Sequence, residues 1–295
     1  MTEKMLSERV SFTEEKTLYL TDLDGTLLAP QGIVSDFTQT HLNALLDRGL
    51  PLSCATARTA ASAAPILRAL HFSLPLILLN GSCLYHLGAG RYESVQYLLD
   101  DAFRGILALC RDAGIHGFFH TVESDRLSTY YTEIDTSAAR EYMEHRKKHF
   151  GKVFTPLSDF ASLRGQGVVY FTYTNTKEAL DPWIDRIRKI PHTKFEYYED
   201  IYHPGFQYLE IFDEHASKYN AALALAKSRG FTRITAFGDH KNDLPLFAAA
   251  NHCIAVENAI GELREIADEI CPPNTQDGVC RWLMQNAKFE ETKEN

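Results

Sequence analysis

Three short apolar runs near the start of the chain set its character. Residues 18–22 (LYLTD), 50–56 (LPLSCAT) and 74–80 (LPLILLN) show no clean alternation of apolar and polar positions, the pattern of strands covered on both faces. Between the first two, Phe37, His41, Leu42, Leu45 and Leu46 recur at helical spacing and stop at Gly49. An Ala-rich stretch over 59–70 reads as a second helix. Strands that alternate with helices predict βαβ units and a parallel sheet. The end of the chain has the same texture: a helix over 217–229, a strand over 232–239, a short helix over 242–250, strands over 252–256 and 268–272, and a last helix from 278.

The middle reads differently. CLYHL, RYESVQYL, IHGFFHTV, GVVYFTYT, KFEYYED and FQYLEIF alternate more clearly and carry many aromatics, with helical stretches at 99–113, 136–150 and 177–190 between them. Strands with one wet face predict a mostly antiparallel sheet in an α+β layer. The expectation is an α/β fold: a Rossmann-like parallel-sheet core formed by 1–83 and 213–295, interrupted by an inserted α+β domain over 84–212. The insert's aromatics, among them Phe118, Phe119, Tyr170, Phe171 and Tyr173, read as sheet core rather than a stacking platform.

Composition narrows the function classes. The 295 residues are 45% hydrophobic and 23% charged, which excludes disordered and low-complexity classes, and the length suits two domains or one large one. No run reaches the roughly 18 apolar residues of a membrane span. The N-terminal residues mix both charges without an apolar stretch, so they read as a solvated lead-in and not a signal peptide; the polar end reads as fraying. A formal charge of −9 repels nucleic acid and anionic membranes at long range, so neither is an expected partner. A phosphorylated small molecule stays open, because a bound cation reverses the local sign. Six scattered cysteines without a C-x-x-C pair fit reduced thiols in a cytoplasmic protein.

The chemistry concentrates at predicted strand ends. Asp22-Leu23-Asp24-Gly25-Thr26 closes the first buried strand. Two carboxylates at i and i+2 leave such a strand on the same side, into the crevice beyond the carboxyl ends of a parallel sheet. Negative charge gathered there suits a hard divalent cation such as Mg²⁺, although D-x-D-G is also a common acidic surface turn. Leu27 and Ile33 exclude an EF-hand. Gly238-Asp239-His240-Lys241-Asn242-Asp243 closes a second buried strand. Asp239 can complete a cation site with Asp22, while Asn242 and Asp243 orient it from behind; Asp243 can equally serve the next helix's first turn. Thr56 ends the strand before Ala57 and Arg58, and Lys218 opens a helix; both are ordinary placements that also suit an anion.

In that order, DLDGT, the strand-terminal T-x-R of Thr56-Ala57-Arg58, the lone Lys218 and GDxxND resemble the haloacid dehalogenase superfamily. Asn80-Gly81, the place of the insert, Asn258-Ala259 and Asp277-Gly278-Val279 resemble its Cof-like phosphatases with a type II (IIB-like) cap. The resemblance implies a cap that closes over the crevice and a Mg²⁺-dependent phosphatase acting on a small phosphorylated metabolite, with a sugar phosphate as the leading class. It implies Asp22 as nucleophile and Asp24 as general acid and base. It further implies a metal held by Asp22, the Asp24 carbonyl, Asp239 and Asp243, and a phosphate-binding set of Thr56, Ala57, Arg58, Asn80, Lys218 and Asn242. Arg58 can contact substrate or form a structural ion pair. His240 and Lys241 read as solvated. A monomer or small homo-oligomer is expected.

Two competitors follow: a phosphosugar mutase that passes its phosphoryl group to a sugar hydroxyl, and a non-catalytic phosphosugar sensor. His145 and His149 have a spacing that can ligate zinc, but Arg146, Lys147 and Lys148 surround them without a third ligand, so a solvated basic face is expected. P-loop, dinucleotide, zincin and serine-hydrolase motifs are absent.

Overall fold

In the computed structural model, which describes residues 15–199 and 204–290, strand β1 (Thr17–Thr21) is buried on both faces beyond its first residue. The lead-in over 1–14 and the end over 291–295 lie outside the described residues. β2 (Leu52–Cys54) and β3 (Leu76–Leu78) follow, then β4 (Cys83–His86) and β5 (Arg91–Val95). The insert supplies β6 (Phe118–Glu123), β7 (Arg126–Tyr131), β8 (Phe154–Pro156), β9 (Val168–Thr176), β10 (Thr193–Glu199) and β11 (Phe206–Asp213). The chain returns with β12 (Arg233–Gly238), β13 (His252–Val256) and β14 (Glu269–Cys271).

The core sheet has the order β14-β13-β12-β1-β2 and every pair in it is parallel. A parallel bridge between Ala55 and Ile77 sets β3 beside the end of β2, and β3, β4 and β5 form an antiparallel ribbon. β2 lies on one side of β1 and the returning strands on the other. The winding reverses at the β1–β12 pair, and in such sheets ligands bind beyond the strand ends at that point. Leu18, Leu20, Ile77, Phe237 and Ile254 share one apolar cluster with the residues of the helix Lys218–Arg229.

The insert is a six-stranded sheet in the order β10-β11-β9-β6-β7-β8, antiparallel except for β7–β8. One face buries Phe119, Phe171, Leu209 and Ile211 against Phe103, Ile106 and Leu109 of the helix Asp100–Ala113. On the other face, Phe118 and Phe154 pack against Ala139 of the helix Ser137–Phe150. Tyr170 and Phe212 on that face stack at 5.4 Å and join the parallel sheet's own cluster, so this face is turned toward the core. The expected aromatic sheet core is therefore present, split between these clusters.

One reading needs adjustment, and two strands went unread. The 177–190 stretch is a set of short turns, Lys177–Leu180, Asp181–Trp183 and Ile184–Ile187, because Pro182 has no N–H to continue a helix. β7 and β8 escape the apolar pattern: β7 is mostly half-buried, and β8 has three residues and ends in proline. No helix among the described residues is long and apolar enough to cross a membrane.

Candidate active site

β1 delivers Asp22 to the switch point, where its N–H donates to the Phe237 carbonyl at 3.0 Å. Residues 23–27 then make one wide turn, closed by Leu28 N–H donating to the Leu23 carbonyl at 2.9 Å. Gly25 has φ +82°, and a Cβ there would lie 2.3 Å from Asp239 Oδ2. Only glycine lets this turn approach the tip of β12 so closely. Thr26 Oγ1 donates to Asp239 Oδ1 at 2.8 Å, so the turn that carries the first two acids also fixes the third.

Asp243 is fully buried. Its Oδ2 accepts from the N–H groups of Asp239 (2.9 Å) and His240 (3.2 Å). Its Oδ1 accepts from Lys218 Nζ at 2.7 Å. The same ammonium donates to Asp22 Oδ1 at 2.6 Å. Lys218 reaches this place because Ser217 caps the helix, its Oγ accepting from Asn220 N–H at 3.0 Å. That leaves Lys218 as the first helical residue, with its side chain directed into the sheet tips.

Oxygen atoms of Asp22, Asp239 and Asp243 lie within 4.8 Å of one another. Three carboxylates face one ammonium, so the cluster carries excess negative charge in a largely dehydrated place. Burial pushes the Asp22 carboxyl well up from the ordinary carboxylate range; Lys218 opposes this, and Asp243 and Asp239 add to it. Burial also raises Asp239, against the pull of the Thr26 hydroxyl. Burial would lower Lys218, but the two carboxylates outweigh it and raise it. An all-oxygen donor set with unmatched negative charge is what a hard divalent cation fits. Among the described residues this is the single His/Cys/Asp/Glu group with that geometry. His145 and His149 stack on each other on an exposed helical turn.

The remaining predicted residues divide. Thr56 is buried; its Oγ1 accepts from the Arg58 N–H at 3.1 Å, which leaves its hydroxyl proton for another acceptor. Asn80 donates its N–H to the Thr56 carbonyl at 3.0 Å. Its side-chain Oδ1 is buried without a hydrogen-bond partner among the described residues, an acceptor left open for a ligand's donor. The turn Leu79–Gly81 packs against the Lys218 helix, so Thr56, Asn80 and Lys218 belong to one neighbourhood. Asp24 does not join the acidic cluster: its carboxylate takes the Arg58 guanidinium in a two-pronged pair at 2.7 and 2.6 Å. Ala57 and Asn242 are exposed, as is Lys241, which lies 3.9 Å from Glu262.

Sequence reasoning gave no role to three supporting residues, although Thr26 and Asn258 stand in its motifs. Thr26 was visible as the last letter of DLDGT, without a role. Asn258 Nδ2 donates to the Gly25 carbonyl at 2.8 Å, and its Oδ1 accepts from Asn274 N–H at 2.9 Å. Asn274 in turn donates to the Leu28 carbonyl at 2.8 Å. These two amides tie the turn after β1 to the loops after β13 and β14.

Comparison with known proteins agrees with this architecture. A family model described as haloacid dehalogenase-like hydrolase matches residues 19–283. A 5-amino-6-(5-phospho-D-ribitylamino)uracil phosphatase of Bacillus subtilis is 25% identical over 272 residues, covering 90% of this chain and 95% of that protein. A crystal structure from Thermotoga maritima superposes with TM-score 0.74 at 21% identity, covering 93% of this chain and 98% of its own. A sugar phosphatase of haloacid dehalogenase subclass IIB superposes with TM-score 0.65 at 20% identity, over 91% of this chain and 98% of its own.

Proposed function

This chain belongs to the haloacid dehalogenase-like hydrolases, and on that premise we propose that it is a Mg²⁺-dependent phosphatase of small phosphomonoesters, working through an aspartyl phosphate. The observation that carries the reading is the buried Lys218 ammonium shared between Asp22 and Asp243, with Asp239 beside them at the tips of β1 and β12.

Asp22 attacks phosphorus as the leaving alcohol departs, forming a P–O bond to its carboxylate. Lys218 holds the attacking oxygen in place and offsets charge on the phosphoryl oxygens. The Thr56 hydroxyl, with its proton unclaimed, donates to one of those oxygens. Asp24 stands outside the acidic cluster, where it can protonate the leaving oxygen and later take a proton from the water that hydrolyses the intermediate. Asp22, Asp239 and Asp243 would hold the cation, which when bound neutralises phosphoryl and carboxylate charge as they approach. The insert over 84–212 serves as the cap that excludes bulk water, with its β9–β11 face turned toward the core. The substrate class is a phosphorylated polyol or sugar; the phosphoribityl substrate of the Bacillus subtilis relative supports that size and chemistry.

The test is turnover of p-nitrophenyl phosphate and of a sugar phosphate panel, with Mg²⁺ and with chelator. Steady release of phosphate that needs the metal and no bisphosphate activator is expected. Asp22→Asn is expected to lower kcat by on the order of 10³-fold or more. Undiminished turnover by that variant would sink the mechanism, and no turnover of any phosphomonoester would favour the sensor.

A further inference from the structure

Asp24 and Arg58 face each other with a geometry that says more than structural pairing. Both guanidinium contacts are short, Nε to Oδ2 at 2.7 Å and Nη2 to Oδ1 at 2.6 Å, so both carboxylate oxygens are engaged. A carboxylate held this way has both oxygens occupied by the fork and neither free to approach a leaving oxygen. The leaving alcohol nevertheless needs a proton. The pair therefore has to open during turnover if Asp24 is to supply it.

Its surroundings allow that. The Asp24 side chain is 53% exposed and that of Arg58 is 21% exposed, and an ion pair open to water is weakly held. Arg58 is also two residues from Thr56, whose hydroxyl accepts the Arg58 N–H at 3.1 Å. The guanidinium thus springs from the same loop that presents the unclaimed hydroxyl proton and, through Asn80, borders the Lys218 helix. A guanidinium fork fits a phosphate group as well as it fits a carboxylate, and a phosphate dianion carries more charge.

We propose that Arg58 is an exchange clamp. In the free protein its fork holds the Asp24 carboxylate at the mouth of the acidic site. An arriving phosphate group takes the carboxylate's place on the fork and releases Asp24 toward the leaving oxygen. Released from the fork, Asp24 takes a proton from solvent water and passes it to that oxygen as the bond from the oxygen to phosphorus breaks and the bond from Asp22 forms. In the second step Asp24 takes a proton from the water whose oxygen joins phosphorus as the aspartyl phosphate is cleaved, and it returns that proton to solvent when phosphate leaves and the fork closes on the carboxylate again, so the cycle balances. The clamp also keeps a fourth carboxylate out of the Asp22–Asp239–Asp243 cluster while no substrate is present. This inference rests on the phosphatase reading above for the role of Asp24, while the competition for Arg58 can be measured without turnover.

The experiment is a double-mutant cycle on the affinity for inorganic phosphate, measured by calorimetry in the presence of Mg²⁺ on the wild type, Asp24→Asn, Arg58→Met and the double variant. If phosphate displaces Asp24 from the fork, Asp24→Asn removes the competitor and tightens phosphate binding about 10-fold. In the Arg58→Met background the same change is expected to gain no more than about 2-fold, the part owed to lost charge repulsion. Arg58→Met alone weakens phosphate binding. Equal gains in both backgrounds would show repulsion without exchange, and phosphate binding by Arg58→Met as tight as the wild type would remove Arg58 from the phosphate; either result overturns the clamp. Should Arg58→Met fail to fold, Arg58→Gln takes its place in the cycle. Turnover of p-nitrophenyl phosphate by the wild type reports on the phosphatase reading separately, so the two can fail independently.

Discussion

The parallel core and the antiparallel insert both bury charge, and they do it in opposite ways. In the core, Lys218 is locked between two carboxylates at 2.6 and 2.7 Å, and every member of the cluster is tied to another strand tip. In the insert, Lys152 is half-buried and meets no carboxylate at hydrogen-bond distance among the described residues. Its ammonium lies 3.5 Å from the Tyr142 hydroxyl and about level with the faces of Phe154 (5.2 Å) and Tyr142 (5.7 Å). Arg146 likewise rests on the rings of Tyr142 and Phe150. The core holds charges rigidly at its strand tips. The insert holds them loosely among aromatics, an arrangement suited to a surface that adapts to what it covers.

Removing each lysine is the strongest way to break this contrast. Lys218→Met leaves Asp22 and Asp243 buried without their counter-charge, and loss of one partner from a buried pair costs about 3–5 kcal/mol. Denaturant unfolding without metal is expected to show that loss, together with a fall in kcat of on the order of 10³-fold. Lys152→Met removes a cation that burial already disfavours and that gains only ring contacts, a long contact to the Tyr142 hydroxyl and a distant pull from Glu210, so a change within about 1 kcal/mol is expected. Equal losses from the two substitutions would erase the distinction between locked and loose charge.

Two glycines sharpen the same comparison at smaller magnitude. Gly25 and Gly151 both have positive φ, but a Cβ on Gly25 would strike Asp239 while one on Gly151 would meet nothing within 4 Å. Gly151→Ala therefore costs only the left-handed backbone strain, about 1–2 kcal/mol, and kcat/KM should stay within about 2-fold. Gly25→Ala adds displacement of Asp239 and of the turn bearing Asp24; a misplacement near 1 Å can lower the rate by about 10²-fold. Steady-state kinetics on both variants, beside their melting points, separates the site's geometry from general stability.

The same asymmetry decided what could be read from sequence. Asp22, Asp239, Asp243 and Lys218 lie at the ends of buried strands or the start of a capped helix, and local patterns mark all of those places. The convergence of residues about 200 positions apart follows once the sheet is taken as parallel. Arg58 could be placed on its loop, yet its partner depends on a rotamer and remained open until Asp24 was seen beside it. Asn258 stood in a quoted motif, but it and Asn274 act through backbone carbonyls of another loop, a role that no side-chain pattern reveals. In the insert, the aromatic strands were legible as strands. Which face of them the helix Ser137–Phe150 covers depends on packing between distant segments, so the environment of Glu210 in FQYLEIF could not be read at all.

Glu210 supplies the smallest and most local test of how the insert carries charge. It sits on β11, on the face that carries Tyr208 and Phe212, and accepts from the Tyr198 hydroxyl at 3.1 Å. Burial is the main reason its carboxyl is pushed up to about 7; Tyr198 opposes the shift, Glu196 across the strand pair reinforces it, and Arg146 and Lys152 draw it down. The unfolded chain titrates near the ordinary glutamate value of about 4.3. Below that value both states are protonated and Glu210 costs nothing. As pH rises from about 4.3 to 7, the unfolded state ionises first and the native state loses stability, and the loss is complete above 7. Partial solvent access trims it to on the order of 1 kcal/mol. Glu210→Gln keeps an oxygen for Tyr198 and removes the charge, so it should be more stable than the wild type at pH 8 and indistinguishable from it at pH 4. For a chain of this size that difference is about 2–4 °C in melting point. An equal offset at both pH values would mean that Glu210 is as well solvated as any surface acid, and that burial of a carboxylate costs the molecule nothing outside the acidic cluster at the strand tips.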